Sequence, residues 1–134
     1  MILQGFHIGK KKWYVMVYYD VLTRGDLLEV KGAILSAGAD EATADMAVDN
    51  LAYEDTGFTF SNLDRRLTVM LMSRASSAEQ MYDTIQHELK HATEHISEFY
   101  GVDSKSEEAA YLQGEIARQM FPAAAMVVCT CSPH

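Results

Sequence analysis

The sequence has little from which to build covalent constraints: two cysteines, two prolines and one tryptophan among 134 residues. Cys129 and Cys131 stand too close together to staple a fold, which excludes a disulfide framework and makes a reducing, cytoplasmic location the expectation. Apolar runs fall short of the roughly 20 residues a membrane span requires, so no membrane partner is expected. Met1 to Lys12 sets its basic cluster after its apolar residues, the reverse of an export signal. Positive charge is also scarce: 11 Lys and Arg face 19 Asp and Glu, a formal net charge of −8. Nucleic acid is excluded as a partner on this ground, because neutralising phosphates takes clustered cations. The only basic run, Lys10-Lys11-Lys12, reads as a solvated strand entrance.

What is present suits a single domain over 1–134, with 49% hydrophobic and 22% charged residues to fill one core. Trp13 to Val21 is aromatic and β-branched and predicts a largely buried strand. Asp26 is read as the cap of a helix running through Leu27 to Ala37 with Gly38 at its end, and Asp40 as the cap of a second helix to Leu51. Gly57 to Ser61 and Arg66 to Ser73 alternate like two strands around the turn Asn62 to Arg65. Ser76 or Ser77 caps a long helix that runs without Gly or Pro to Tyr100 and stops at Gly101. Ser106 caps a last helix from Glu107 to about Met120, closed by Pro122.

Inside the long helix stands His87-Glu88-Leu89-Lys90-His91, an HExxH motif. Shuffling this composition produces such a motif in roughly one chain in a hundred. Residues four apart on a helix lie one turn apart and about 40° from each other in projection, so both imidazoles can reach one cation. Glu88 falls beside that point, where it can act as general base on bound water. Met81, Ile85, Leu89, Ala92, Ile96 and Phe99 form the core-facing stripe of the same helix. His87, His91, His95 and Glu88 occupy the rim between core and solvent.

A catalytic zinc usually takes three protein ligands and a water. On the last helix Glu107 lies with Ala110, Tyr111, Gly114 and Ala117, a face of mostly small residues that invites close approach. Glu107 is therefore the preferred third ligand, with Glu108 as the alternative. His95 is a competitor, but a straight helix carries it a further ~6 Å along the axis from His91. It reads better as a residue behind the ligands or in the cleft. Tyr111 reads as packing between helices. Cys129, Cys131 and His134 form a weaker candidate for a soft-metal cluster.

HELKH, followed by Ser106-Glu107-Glu108-Ala109-Ala110-Tyr111, resembles the gluzincin pattern of HExxH plus a downstream helical glutamate. The short chain is similar to minigluzincins and to small peptidases of phages and mobile elements. The resemblance runs from Ser73 to Met120. It implies an α+β fold of the zincin type, in which a small antiparallel or mixed sheet packs on the HExxH helix and a C-terminal ligand helix. Arg66 to Ser73 would then form the roof of the cleft. It implies a Zn2+-dependent hydrolase that cleaves peptide bonds in a peptide or protein substrate, with Glu88 as base and His87, His91 and Glu107 as ligands. Many gluzincins carry an aspartate four residues after the ligand glutamate, where this chain has Tyr111. Two other readings stand beside it. One is a zinc-binding interaction module without turnover. The other is a latent peptidase whose cleft is closed by the stretch Ala123 to Val128, from its own chain or by self-association into a homo-oligomer.

Overall fold

Eight elements follow one another along the chain: β1 (Ile2–Ile8), β2 (Trp13–Val21), α1 (Arg24–Ser36), α2 (Glu41–Leu51), β3 (Gly57–Asn62), β4 (Leu67–Ser73), α3 (Ala78–Phe99) and α4 (Glu107–Cys131). The structure is a computed structural model, and it describes residues 1–9 and 12–131. The basic run at Lys10 and Lys11, and His134 of the candidate cysteine cluster, lie outside the described residues.

The strands form one mixed sheet in the order β1-β2-β4-β3. β1 and β2 are antiparallel, β2 and β4 parallel, and β3 and β4 antiparallel. The two central strands are buried on both faces, which explains why WYVMVYYDV and LTVMLMS are near-continuous apolar runs. Val15, Val17, Tyr19, Met70 and Met72 point to one side, where α3 and α4 supply Met81, Leu89, Ile96, Ile116 and Met120. Val69 and Leu71 point to the other, against Val30 and Ile34 of α1 and Ala44, Ala47 and Leu51 of α2. The fold is therefore α+β, with a helix pair on each face of a four-stranded sheet.

Several expectations need adjustment. α1 starts earlier than expected: Thr23 is its N-cap, and Asp26 closes a capping box from the third helical position. β1 was not expected, although Ile2, Gln4, Phe6 and Ile8 alternate inward along it. β4 does not roof a cleft; it lies inside the sheet, whose edge strands are β3 and β1. α4 does not end at Pro122 but continues to Cys131. The proline forfeits one backbone hydrogen bond, yet Ala123 and Val127 beyond it are buried, and that burial carries the helix through.

The rotation of α4 also differs. Its buried line is Ala109, Leu112, Ile116, Met120, Ala123 and Val127. Burying Leu, Ile and Met releases more apolar surface from water than burying the Ala and Gly face could. Glu107, Ala110, Tyr111 and Gly114 are consequently exposed. Tyr111 is 76% exposed and does not pack between helices. Among the described residues, no helix is long and apolar enough to cross a membrane.

Candidate functional site

α3 begins at the N-cap Ser77, whose side chain accepts from the Gln80 N–H, and is strongly amphipathic along its 22 residues. That regular start fixes the helical phase at which the HExxH residues emerge. His87 is exposed, His91 half-buried and Glu88 only 3% exposed. The Nε2 atoms of His87 and His91 are 3.1 Å apart. The two rings lie nearly perpendicular, at 82°. Without an ion, one ring nitrogen donates to the other. Their separation is also short enough for both to lie at the ~2.0–2.1 Å of a zinc–imidazole bond.

The neighbour of this helix is the edge strand β3. Thr59 Oγ1 donates to Glu88 Oε1 at 2.8 Å. Gly57 stands so close that a Cβ there would fall 2.6 Å from Glu88 Cγ and Oε2. Asn50 Nδ2 donates to the Gly57 carbonyl at 2.6 Å and ties this end of the strand to α2. Burial pushes the Glu88 carboxyl above the usual carboxylate range, against smaller lowering influences from Thr59, His91 and His87.

Two strand positions further on, Ser61 Oγ lies 2.8 Å from His95 Nδ1 and 2.8 Å from Thr68 Oγ1. Thr68 Oγ1 accepts from Trp13 Nε1 at 2.9 Å. Only one proton order satisfies every member of this chain: Trp13 donates to Thr68, Thr68 to Ser61, and Ser61 to His95 Nδ1. His95 is then held as the tautomer with its proton on Nε2. Burial, and then His91, lower its pKa, which keeps the ring neutral at pH 7.

The structure thus brings His87, His91 and Glu88 together and sets His95 along the same side of α3. Glu107 does not join them. It is exposed in the first turn of α4, and among the described residues no three His, Cys, Asp or Glu side chains form a metal-holding group. The phase of α4 is the reason: the Leu112 face turns inward and carries Glu107 outward. α4 also packs on the opposite flank of α3, where Ile85, Leu89, Ala117, Met120 and Ala124 line an apolar cleft of about 500 Å³. Ala124, Ala125 and Val128 belong to that cleft, so the stretch Ala123 to Val128 does not cover the histidines. Cys129 and Cys131 are free thiols.

Sequence reasoning missed Gly57, Thr59 and Ser61, which meet α3 from alternate positions of β3. The signal was there: one face of a predicted strand carried only small or hydroxyl side chains, which cannot serve as core.

Compared with known proteins, the chain matches no family model, no curated protein and no solved structure.

Proposed function

We propose that the chain is a zinc-dependent peptidase of minimal zincin type, with its centre at His87, His91 and Glu88. The observation that carries this reading is the convergence of the two Nε2 atoms at 3.1 Å, one residue away from a buried carboxyl. The donor set fits a divalent ion at two positions, and imidazole nitrogens suit zinc. His87 and His91 would hold such an ion, which would supply Lewis acidity at that point.

The chain's own residues do the rest. Thr59 fixes Glu88 Oε1, which leaves Oε2 as the oxygen that takes and returns a proton. The burial that raises the Glu88 pKa strengthens it as a base, and its hydrogen bond from Thr59 holds it in place for that role. β3 ends the sheet, and beyond Gly57, whose carbonyl already accepts from Asn50, its outer side is where an extended peptide would pair. His95, with its proton on Nε2, offers a neutral hydrogen-bond donor further along that path.

The decisive experiment measures zinc content and peptide hydrolysis together. Zinc at one equivalent with hydrolysis that disappears in Glu88→Gln supports a peptidase. Zinc at one equivalent without hydrolysis in the unaltered chain leaves the silent binding module as the function.

A further inference from the structure

The sheet has a second edge, β1, whose outer side plays no part in the proposed hydrolysis. The hydrogen bonds of β2 show which β1 residues face outward. Tyr14 N–H donates to the Arg66 carbonyl at 2.9 Å, so Tyr14, Met16 and Tyr18 turn their backbone groups toward β4. Trp13, Val15, Val17 and Tyr19 turn theirs toward β1, where they oppose Ile8, Phe6, Gln4 and Ile2. Leu3, Gly5 and His7 are left with their N–H and C=O groups directed away from the sheet.

We infer that β1 pairs antiparallel with β1 of a second copy of this chain, about a two-fold axis at Gly5, joining two sheets into one. Unpaired backbone is the first ground. The His7 carbonyl accepts from Gln119 Nε2 at 2.7 Å, but the backbone groups of Leu3 and Gly5 have no partner among the described residues. In this register Gly5 exchanges both hydrogen bonds with its counterpart, and Leu3 both with His7 of the second copy. The His7 carbonyl keeps a lone pair for that bond beside the Gln119 amide.

Charge selects a copy as the occupant. Open edge strands are usually blunted by Lys, Pro or an inward-pointing charge. Ile2–Ile8 carries no charged residue and no proline. Two-fold pairing sets identical strands against each other, which like charges would oppose and this strand permits. The chain has a net charge of −8, so two copies repel across most of their surfaces. At β1 they meet without setting carboxylates face to face. A foreign strand chosen by an acidic protein would be recognised through charge, and β1 offers none.

The side chains fit the same register. Ile2, Phe6 and Ile8 point to the side covered by α3 and α4, which leaves Leu3, Gly5 and His7 on the other. Leu3 is 55% exposed there. The Tyr14 ring lies over Gly5, where a Cβ would collide with its hydroxyl, and stacks on His7 with centroids 4.8 Å apart. Across the axis, Leu3 of each copy stands opposite His7 of the other and covers this pair of rings. β3, which holds Glu88 through Thr59, stays open at the far edge of each sheet.

The test is sedimentation velocity on the full chain from micromolar to millimolar concentration, with amide hydrogen exchange read by NMR at both extremes. The expected result is a dimer that forms within this range and slows exchange at the Leu3, Gly5 and His7 amides. Leu3→Lys, met twice across the two-fold axis, should weaken association about tenfold, and Leu3→Val should leave it within about twofold. Phe121→Ser, which removes an exposed ring from the cleft between α3 and α4, should leave the dimer unchanged. A chain that stays monomeric throughout, or a dimer equally stable in Leu3→Lys, would overturn the inference. Edge amides that exchange equally in monomer and dimer, or that another segment already protects in the monomer, would do the same. Dissociation by Phe121→Ser would move the contact to the cleft and overturn it as well. None of these readouts involves zinc or hydrolysis, so the dimer and the peptidase stand or fall separately.

Discussion

Gly57 and Glu88 approach so closely that no other residue fits at position 57 without moving the carboxylate: an added Cβ would meet Glu88 Cγ, Cδ and Oε2 at 2.6–2.7 Å. Cγ and Oε2 are equally near, and Cγ is the stem of a buried side chain that cannot swing away freely. Gly57→Ala should therefore cost about 1–3 kcal/mol of stability through overpacking. It should also depress kcat more than KM, because it displaces the proposed base and not the binding surface. Thermal unfolding and steady-state kinetics check both. An alanine variant as active and as stable as the parent would show that Glu88 has room to retreat.

Metal retention should separate the three sequence-designated ligands. His87→Ala and His91→Ala should each lose bound zinc, since either leaves a single imidazole. Glu107→Gln should retain it, because Glu107 faces solvent from α4. Elemental analysis after gel filtration reads the outcome. Loss of zinc in Glu107→Gln would show that α4 reaches the pair in the metal-loaded protein.

The pH dependence of stability carries the sign of the Glu88 shift. Its carboxyl is held above the usual 4.5 by burial. A group whose pKa rises on folding favours the fold while protonated, below 4.5, and that contribution disappears as pH climbs through the raised value. In EDTA, the parent should lose stability relative to Glu88→Gln as pH rises from about 4 to about 8. A constant difference across that range would mean that Glu88 is solvated.

Ser61→Ala breaks the chain from Trp13 to His95 in its middle. Thr68, fully buried, loses the acceptor for its hydroxyl proton, and His95 Nδ1 loses its donor. A cost of about 1–3 kcal/mol follows from leaving such groups unpaired. The 15N shifts of the His95 ring should move from a single Nε2–H tautomer to a mixture. An unchanged tautomer would assign its orientation to some other contact.

The HExxH helix was legible because its cue is local. The spacing of two histidines, a serine cap and an apolar stripe all lie within one regular element, and α3 spans Ala78–Phe99 with Met81, Ile85, Leu89 and Ile96 buried. Phe99, placed on the stripe by periodicity, is 37% exposed, since the helix is ending there. The partners of Glu88 were not legible, because Thr59 stands 29 residues away and only strand register brings it near. The third ligand failed for a related reason. A helical wheel shows which residues share a face but not which face wins, and on α4 the Leu112, Ile116 and Met120 line outcompeted the small-residue face. Pro122 misled in the same way: it weakens a helix locally, while tertiary burial of Val127 decides its length.

The pairing of β3 with α3 divides labour between short-range and long-range structure. A peptide cut to the length of α3 would still space two imidazoles by one turn and so retain some affinity for zinc wherever it is helical. It would have no floor beneath Glu88, whose partner and whose dry surroundings come from a strand that itself depends on β4 and, through β4, on β2. The histidine spacing can thus precede assembly of the domain, whereas the buried surroundings of Glu88 cannot. On the proposed function, a half-folded chain would have its histidine pair in place and lack the strand that partners Glu88.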